Sequence, residues 1–317
     1  MSNELDTAAI IAGLIFWIVI IASGTLWVKR ARHKNVRSTH QSTVRAWPIG
    51  WVNFGVLICT MIVCVFVVQA LTAPIIHSIV PPEPSEDANK ATEISSKDKA
   101  SVNDAEATEE PPLTPWMAVW AVLSLQIPML ATFYGLRRLY PNHYTGQLNQ
   151  KSLAIGQAMS LTLPDFIRYL PVIWVANLIW LGVLTTMKKF SLIDDFSPQE
   201  LIETFSQGGD PLAILLLVVF AIVLAPIVEE IIFRGAIYRF MKSQTTPMIA
   251  QIISGFFFAI LHGNLMSLLP LLTVGIILAR LYERHGNILA PMCFHAYFNA
   301  FSVLLLFITN QSEIPFG

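Results

Sequence analysis

The chain has 317 residues, of which 54% are hydrophobic and 13% are charged, and its formal net charge is −1. Soluble domains carry about 25% charged residues, so the composition excludes an ordinary soluble protein and indicates a chain that crosses the membrane repeatedly. The three cysteines lie in apolar runs without CxxC spacing, which excludes a disulfide framework.

Apolar runs of about 20 residues can cross a bilayer as helices. Such runs predict an all-α, polytopic transmembrane helical bundle of about eight spans. The spans are predicted near 8–28, 51–77, 114–136, 169–187, 211–229, 247–263, 264–281 and 287–308. The seventh span is short, and its boundary with the sixth depends on the turn signal His262-Gly263-Asn264.

The composition changes abruptly between residues 81 and 112, where nine acidic residues accompany three lysines and no aromatic residue. Such a segment buries too little apolar surface to order itself, which predicts a disordered external loop. This loop follows a two-span N-terminal membrane region, 1–80. Residues 113–164 are predicted to hold the third span and the start of a cytoplasmic amphipathic segment at 152–167, and residues 309–317 form a tail.

Loops that face the cytoplasm carry an excess of lysine and arginine, so basic residues predict orientation. Six of them lie between residues 29 and 45, directly after the first span, whereas Glu4 and Asp6 precede it. If the remaining spans alternate, most other basic residues also fall inside. The pattern predicts an integral protein of the cell (plasma) membrane with both termini outside.

Two adjacent carboxylates, Glu229 and Glu230, follow a run from 211 to 228 that contains no charged residue. Acids within a membrane are costly and usually face a cavity or a partner. On a helix, Glu230 and Arg234 share one face and can pair, while Glu229 points about 100° away. The alternative is that both acids are the solvated cytoplasmic end of the fifth span.

Three further polar residues stand in apolar surroundings: His262, and the pair His295 and Asn299, which are four residues apart and share a helical face. Each has a plain interpretation, as a satisfied polar residue or as hydrogen-bonding contact between helices. Together with the acids they supply a general base, which can activate water, and donors that can stabilise an oxyanion.

In order and spacing, Glu229-Glu230-x-x-x-Arg234, Phe258-x-x-x-His262 and His295-x-x-x-Asn299 resemble the motifs of the CPBP family. These are the CAAX-processing and bacteriocin-processing intramembrane proteases, also called Abi. The resemblance covers roughly residues 165–308, which are therefore predicted to form a CPBP-type protease domain. The HExxH helix of zinc proteases and the GxSG and GxGD sequences are missing from the chain.

The resemblance implies hydrolysis of a peptide bond within the membrane, related to the processing of prenylated CAAX proteins. The site is expected to open toward the cytoplasm. Glu229 and His262 would activate water, and His295 and Asn299 would stabilise the oxyanion. Glu230 and Arg234 would hold the site together and help to bind substrate. The expected partners are the lipid bilayer and a peptide or lipidated protein substrate, with no nucleic acid.

The sequence allows two interpretations of whether the site depends on a metal. A glutamate–histidine mechanism without metal is favoured, because an Asn/His pair suits oxyanion donation better than metal ligation. In the alternative, Glu229, His262 and His295 hold Zn²⁺, which in catalytic sites takes three protein ligands and a water.

Two other functions compete with proteolysis. One is a non-catalytic immunity or scaffold protein of the same fold. The other is a transporter, since ionisable residues inside a membrane also mark substrate paths. The chain lacks the matching pair of Gly/Pro-broken spans in two halves that many transporters show, which counts against the second.

Overall fold

The computed structural model describes residues 2–32, 44–79, 114–193 and 209–309, and this part of the chain consists of helices and their connections. It contains eight main helices. They are α1 Ser2–Arg32, α2 Trp51–Ile79, α3 Pro115–Leu139, α4 Ile155–Lys189, α5 Pro211–Gln244, α6 Pro247–Ile260, α7 Leu268–His285 and α8 Leu289–Thr309. The predicted all-α membrane bundle is confirmed.

Three helices begin in the same way, with a side-chain cap followed by proline at the first position. Thr114, Asp210 and Thr246 accept hydrogen bonds from backbone N–H groups at the starts of α3, α5 and α6. Proline suits this position because its missing N–H would have no partner there. At the other end, α7 stops at Gly286, which takes the left-handed conformation with φ of 65°.

The cap Asp210 also joins the starts of α3 and α5. Its carboxylate accepts a hydrogen bond from Trp116 Nε1 at 2.9 Å, and this bond lowers the pKa of Asp210 below its usual value. The stabilising contact is therefore present at neutral pH and is lost as the pH falls through the lowered pKa.

Seven of these helices are long and apolar enough to cross a membrane. The exception is α6, at the position of the predicted sixth span: it has 14 residues, where about 20 are needed. The turn predicted at His262-Gly263-Asn264 is confirmed, and Gly263 adopts a φ of 66° there. The chain then enters α7 through a short 3₁₀ turn, Leu265–Ser267.

Two predicted span boundaries are wrong. The fourth span, expected to begin near 169, belongs to a helix that begins at Ile155 and includes most of the predicted amphipathic segment at 152–167. The fifth span, expected to end near 229, continues to Gln244. Polar residues beyond both predicted boundaries are buried against other helices, as Asp165 and Arg239 are.

The predicted external loop at 81–112 and nearly all of the predicted tail at 309–317 lie outside the described residues. Within the described ranges, α6 packs mainly on α7, α4 on α8 and α1, and α2 on α3. One apolar core joins residues from Val44 to Phe294, so the N-terminal region and the predicted protease segment share their packing.

The segment at 44–49 lies across part of one end of the bundle. Trp47 N donates to the carbonyl of Arg239 at 2.9 Å, and Arg239 Nε donates to the carbonyl of Arg45 at 2.9 Å. The Trp47 indole N–H donates to the carbonyl of Thr145 at 2.6 Å. Residues before α2, after α3 and at the end of α5 therefore meet on one face, which we call the basal layer.

Replacing Trp47, which is 1% exposed, with alanine tests whether the basal layer belongs to the fold. Large-to-alanine changes in a core cost about 3–5 kcal/mol, so we expect a clear fall in the melting temperature measured in detergent. The matched control is Trp17→Ala, since Trp17 is 62% exposed. Equal melting temperatures for the two variants would contradict this packing.

Candidate active site

The two adjacent carboxylates lie in the middle of α5, where the helix changes its winding. A short α-helical stretch, Ala225–Glu230, is flanked by π-helical turns at Phe220–Leu224 and Ile231–Tyr238. Such wide turns are rare and occur frequently at functional sites. The alternative that both acids are a solvated helix end is wrong for Glu230, whose side chain is fully buried.

Glu230 and Arg234 form the pair that their spacing predicts. Arg234 Nη1 donates to Glu230 Oε1 at 2.8 Å, and neither side chain is exposed. Arg234 Nη2 donates to the backbone carbonyl of Gly275 in α7 at 3.0 Å. The guanidinium also lies 4.6 Å from the centre of the Phe258 ring, within cation–π range. The charge of Glu230 is thus neutralised where no water reaches it.

The same oxygen of Glu230 also binds a histidine from α8. His295 Nδ1 lies 3.1 Å from Glu230 Oε1, and the imidazole is only 3% exposed. A carboxylate paired with arginine is an acceptor, so Nδ1 carries the proton in this contact. This bond fixes the ring and turns its Nε2 toward the neighbouring carboxylate, Glu229.

Among the described residues, no lysine or arginine forms an ion pair with Glu229, which instead faces two imidazoles. Its Oε2 lies 3.8 Å from His262 Nε2 and 3.9 Å from His295 Nε2. These separations are longer than hydrogen bonds, and Oε2 is buried without a hydrogen-bond partner in the described structure. The Glu229 and His262 side chains are 20% and 24% exposed, so this edge of the site is open.

The orientation of His262 is set by the helix that it follows. Its Nδ1 lies 2.6 Å from the carbonyl of Phe258, one turn earlier, and donates a proton to it. In the neutral ring this leaves Nε2 as an acceptor directed at Glu229. The Phe258 ring lies 4.7 Å from the His262 ring and 5.5 Å from the His295 ring, so it packs against both.

Asn299 lies on the same helix as His295, but it contacts a different turn of α5. Its Nδ2 donates to the carbonyl of Ala221 at 2.7 Å, in the first π-helical segment. The amide keeps a second N–H and its oxygen for another partner. The three motifs therefore converge on one region, although Asn299 is anchored to the backbone and not to the other polar side chains.

The nitrogen–oxygen separations at Glu229 are wider than those between the ligands of a bound zinc ion. In the described part of the chain, no group of three His, Cys, Asp or Glu side chains is placed to hold a metal ion. Ligand atoms about 2.0–2.1 Å from a tetrahedral zinc lie about 3.3 Å apart. The two nitrogen–oxygen separations at Glu229 are 3.8 and 3.9 Å.

Sequence reasoning missed two contributors to the site. The Gly275 carbonyl carries no side-chain signature that a motif search would find. The Phe258 ring belongs to the second motif, but its contacts with Arg234 and the two imidazoles follow only from the helix packing.

Comparison with known proteins places the site within a matched segment. Residues 211–301 match the model of the family described as "Type II CAAX prenyl endopeptidase Rce1-like". The chain is 34% identical over 93 residues to the Bacillus subtilis (strain 168) protein named "Putative membrane peptidase YdiL". That alignment covers 29% of this chain and 38% of the relative. No solved structure gives a significant match.

These matches identify the class of the segment that carries the site. They support membership of the CPBP/CAAX protease family, as the three motifs predicted, and every motif residue lies inside the matched range. The chain spans well under two thirds of the length of its curated relative, so the matched segment is what the two proteins share.

Removing one partner of the Glu230–Arg234 pair leaves an uncompensated buried charge, which costs about 3–5 kcal/mol. We expect Arg234→Leu to lower the melting temperature in detergent strongly. Replacing both residues, as Glu230→Leu with Arg234→Leu, should recover much of that loss. The exposed Arg280→Leu is the matched control. If the single and double variants have the same melting temperature, the two residues do not contribute as a buried ion pair.

Proposed function

We propose that this protein is an intramembrane endopeptidase of the CAAX-processing type that hydrolyses a peptide bond with water. The observation that carries the proposal is that the two carboxylates have different surroundings. Glu230 is neutralised by Arg234, whereas Glu229 faces two imidazole nitrogens at 3.8 and 3.9 Å on the partly open side of the site. One acid holds the site together, and the other remains reactive.

In this mechanism the attacking water lies between Glu229 and His262. Both Oε2 of Glu229 and Nε2 of His262 are acceptors, so a single water can donate a hydrogen to each. As the water oxygen bonds to the peptide carbonyl carbon, one of its protons passes to the Glu229–His262 pair. The same pair returns a proton to the departing amine when the carbon–nitrogen bond breaks.

We assign oxyanion stabilisation to His295 and Asn299. Asn299 keeps one N–H after donating to Ala221. His295 donates from Nε2 when both of its nitrogens carry a proton, because Nδ1 already donates to Glu230. Donors held before the reaction begins cost no reorganisation as negative charge develops, and losing one typically costs about 10²–10³ in rate.

The length of α6 supports an intramembrane position for the site. Its 14 residues span about 21 Å, less than the hydrocarbon core of about 30 Å. α6 begins beside the basal layer, so His262 at its far end would lie inside the membrane. The loops of that layer are those predicted to be cytoplasmic from their basic residues. We also propose that the protein lies in the plasma membrane with both termini outside, and that its site opens toward the cytoplasm.

The substrate class follows from the family to which the matched segment is similar. We propose a peptide or lipidated protein held in the bilayer, with a CAAX-like prenylated C-terminus as the first substrate to test. The two rival functions give different results in that test. A scaffold or immunity protein would bind such a peptide without cleaving it, and a transporter would move a solute across vesicles.

Substituting Glu229→Gln and His262→Ala tests the water-activating pair. Glutamine keeps the shape of glutamate but cannot take the proton, so we expect turnover to fall by about 10²–10⁴, the usual contribution of general-base catalysis. The assay is cleavage of prenylated and unprenylated CAAX peptides by purified protein in liposomes. Melting temperatures should stay close to that of the wild type, since both side chains are partly exposed.

The matched control for His262→Ala is His143→Ala, at an exposed histidine outside the site. It should cleave at the wild-type rate. Wild-type turnover by Glu229→Gln would remove this residue from the mechanism. Binding without cleavage by the wild-type protein would favour the non-catalytic alternative.

The metal-free mechanism makes a separate prediction. Activity should survive exhaustive treatment with o-phenanthroline, and elemental analysis should find well below one zinc per chain. Zinc bound at one per chain, whose removal stops turnover and whose return restores it, would instead make Glu229, His262 and His295 the ligands.

A further inference from the structure

Helices α6 and α7 touch through two glycines. A Cβ atom added to Gly275 would lie 2.6 Å from Gly255 Cα, closer than real Cβ contacts come. A Cβ added to Gly255 would lie 3.1 Å from both Leu272 O and Ile276 N. At Gly275 the atom in the way belongs to the backbone and cannot rotate aside, so only glycine allows the two helices to cross at this separation. At Gly255 the neighbours would have to shift by a few tenths of an ångström.

The crossing lies at the residue whose carbonyl reaches the buried arginine. Gly275 O accepts the hydrogen bond from Arg234 Nη2 at 3.0 Å, across from α7 to α5. Beside it in α6, Ser254 Oγ donates to the carbonyl of Phe233 at 2.9 Å. The close approach of α6 and α7 therefore coincides with the contacts that both helices make to α5 around the site.

We infer that Gly255 and Gly275 are positioning residues for the reaction, acting through Arg234. Three hydrogen bonds connect these residues one after another. Arg234 donates to Gly275 O at 3.0 Å and to Glu230 at 2.8 Å. Glu230 in turn accepts from His295 Nδ1 at 3.1 Å. Each link sets the orientation of the next, and the last one directs His295 Nε2 toward Glu229. The role in catalysis rests on the function proposed above.

The distances explain why one added methyl group is enough to disturb these three hydrogen bonds. Ordinary contact between carbon atoms is about 3.5–4.0 Å, so a Cβ on Gly275 forces the helices apart by roughly 1 Å. Since α5 packs more extensively on α6 than on α7, α7 takes up this shift and moves away from α5 as well. A 3.0 Å hydrogen bond lengthened by that amount is no longer a hydrogen bond. Arg234 then loses its partner in α7, and the Glu230–His295 contact loses its fixed geometry.

Simple packing of small residues between membrane helices predicts a different result. In that case an added methyl group lowers stability alone, as at other close helix contacts in membranes. Positioning predicts a fall in kcat with KM nearly unchanged, because Gly255 and Gly275 act on the geometry of His295. A shift of about 1 Å at a distance from the chemistry can cost about 100-fold in rate.

The experiment compares Gly275→Ala, Gly255→Ala and Gly182→Ala in liposomes. Gly182 lies on α4 with nothing within 4 Å of an added Cβ, so its variant is the matched control. We expect kcat to fall by about 10- to 100-fold in Gly275→Ala, less in Gly255→Ala, and not in Gly182→Ala. The ¹⁵N resonance of His295 Nδ1, assigned with His295→Gln, should shift in the first two variants.

A stability measurement separates this inference from the proposed function. Gly275→Ala should lower the melting temperature more in the wild type than in the Glu230→Leu/Arg234→Leu background, where the contact with Gly275 O is already absent. This difference in melting temperature is measured without any substrate. If it is present in a protein that cleaves no peptide, the proposed function fails while the link from Gly275 to Arg234 stands.

Equal losses of melting temperature in the two backgrounds would overturn the inference. So would wild-type kcat and an unshifted His295 resonance in folded Gly275→Ala. If Gly275→Ala does not fold, the same measurements on Gly255→Ala decide, since its clash at 3.1 Å is milder.

Discussion

The site depends on one buried ion pair, Glu230 with Arg234, held inside a bundle of apolar helices. An isolated charge there would be very costly, and the pair is tolerable because each member has further partners. Glu230 also accepts from His295, and Arg234 also donates to Gly275 and faces Phe258. The pair thereby joins α5 to α6, α7 and α8. Disturbing any of these helices changes the surroundings of the charges.

The pair also gives two adjacent glutamates different properties. Glu230 is enclosed and neutralised, whereas Glu229, one residue earlier, lies on the accessible edge facing two imidazoles. The π-helical turns on both sides widen α5 at this point, and the first of them presents the Ala221 carbonyl that anchors Asn299. Local winding of a single helix thus directs polar groups from two motifs into one region.

Much of this arrangement was predictable, because helical spacing alone places Glu230 and Arg234 on one face. The convergence of the three motifs was also predicted, through their resemblance to a protease family. The partner in α7 was not, since a backbone carbonyl leaves no trace in a sequence. The boundaries of α4 and α5 were misjudged for a related reason. Asp165 and Arg239 lie beyond the predicted spans, and only the helix packing shows that both are buried.

The central claim is that the paired Glu230 leaves Glu229 free to activate water, and isotope labelling tests it most directly. A single turnover in H₂¹⁸O, with excess enzyme and a CAAX-type peptide in liposomes, should place one ¹⁸O in the new peptide carboxylate. Mass spectrometry of the protein should find none in Glu229. Label in the Glu229 carboxylate would instead indicate direct attack by that residue and a covalent intermediate. That result, or the absence of any cleaved peptide, would contradict the account.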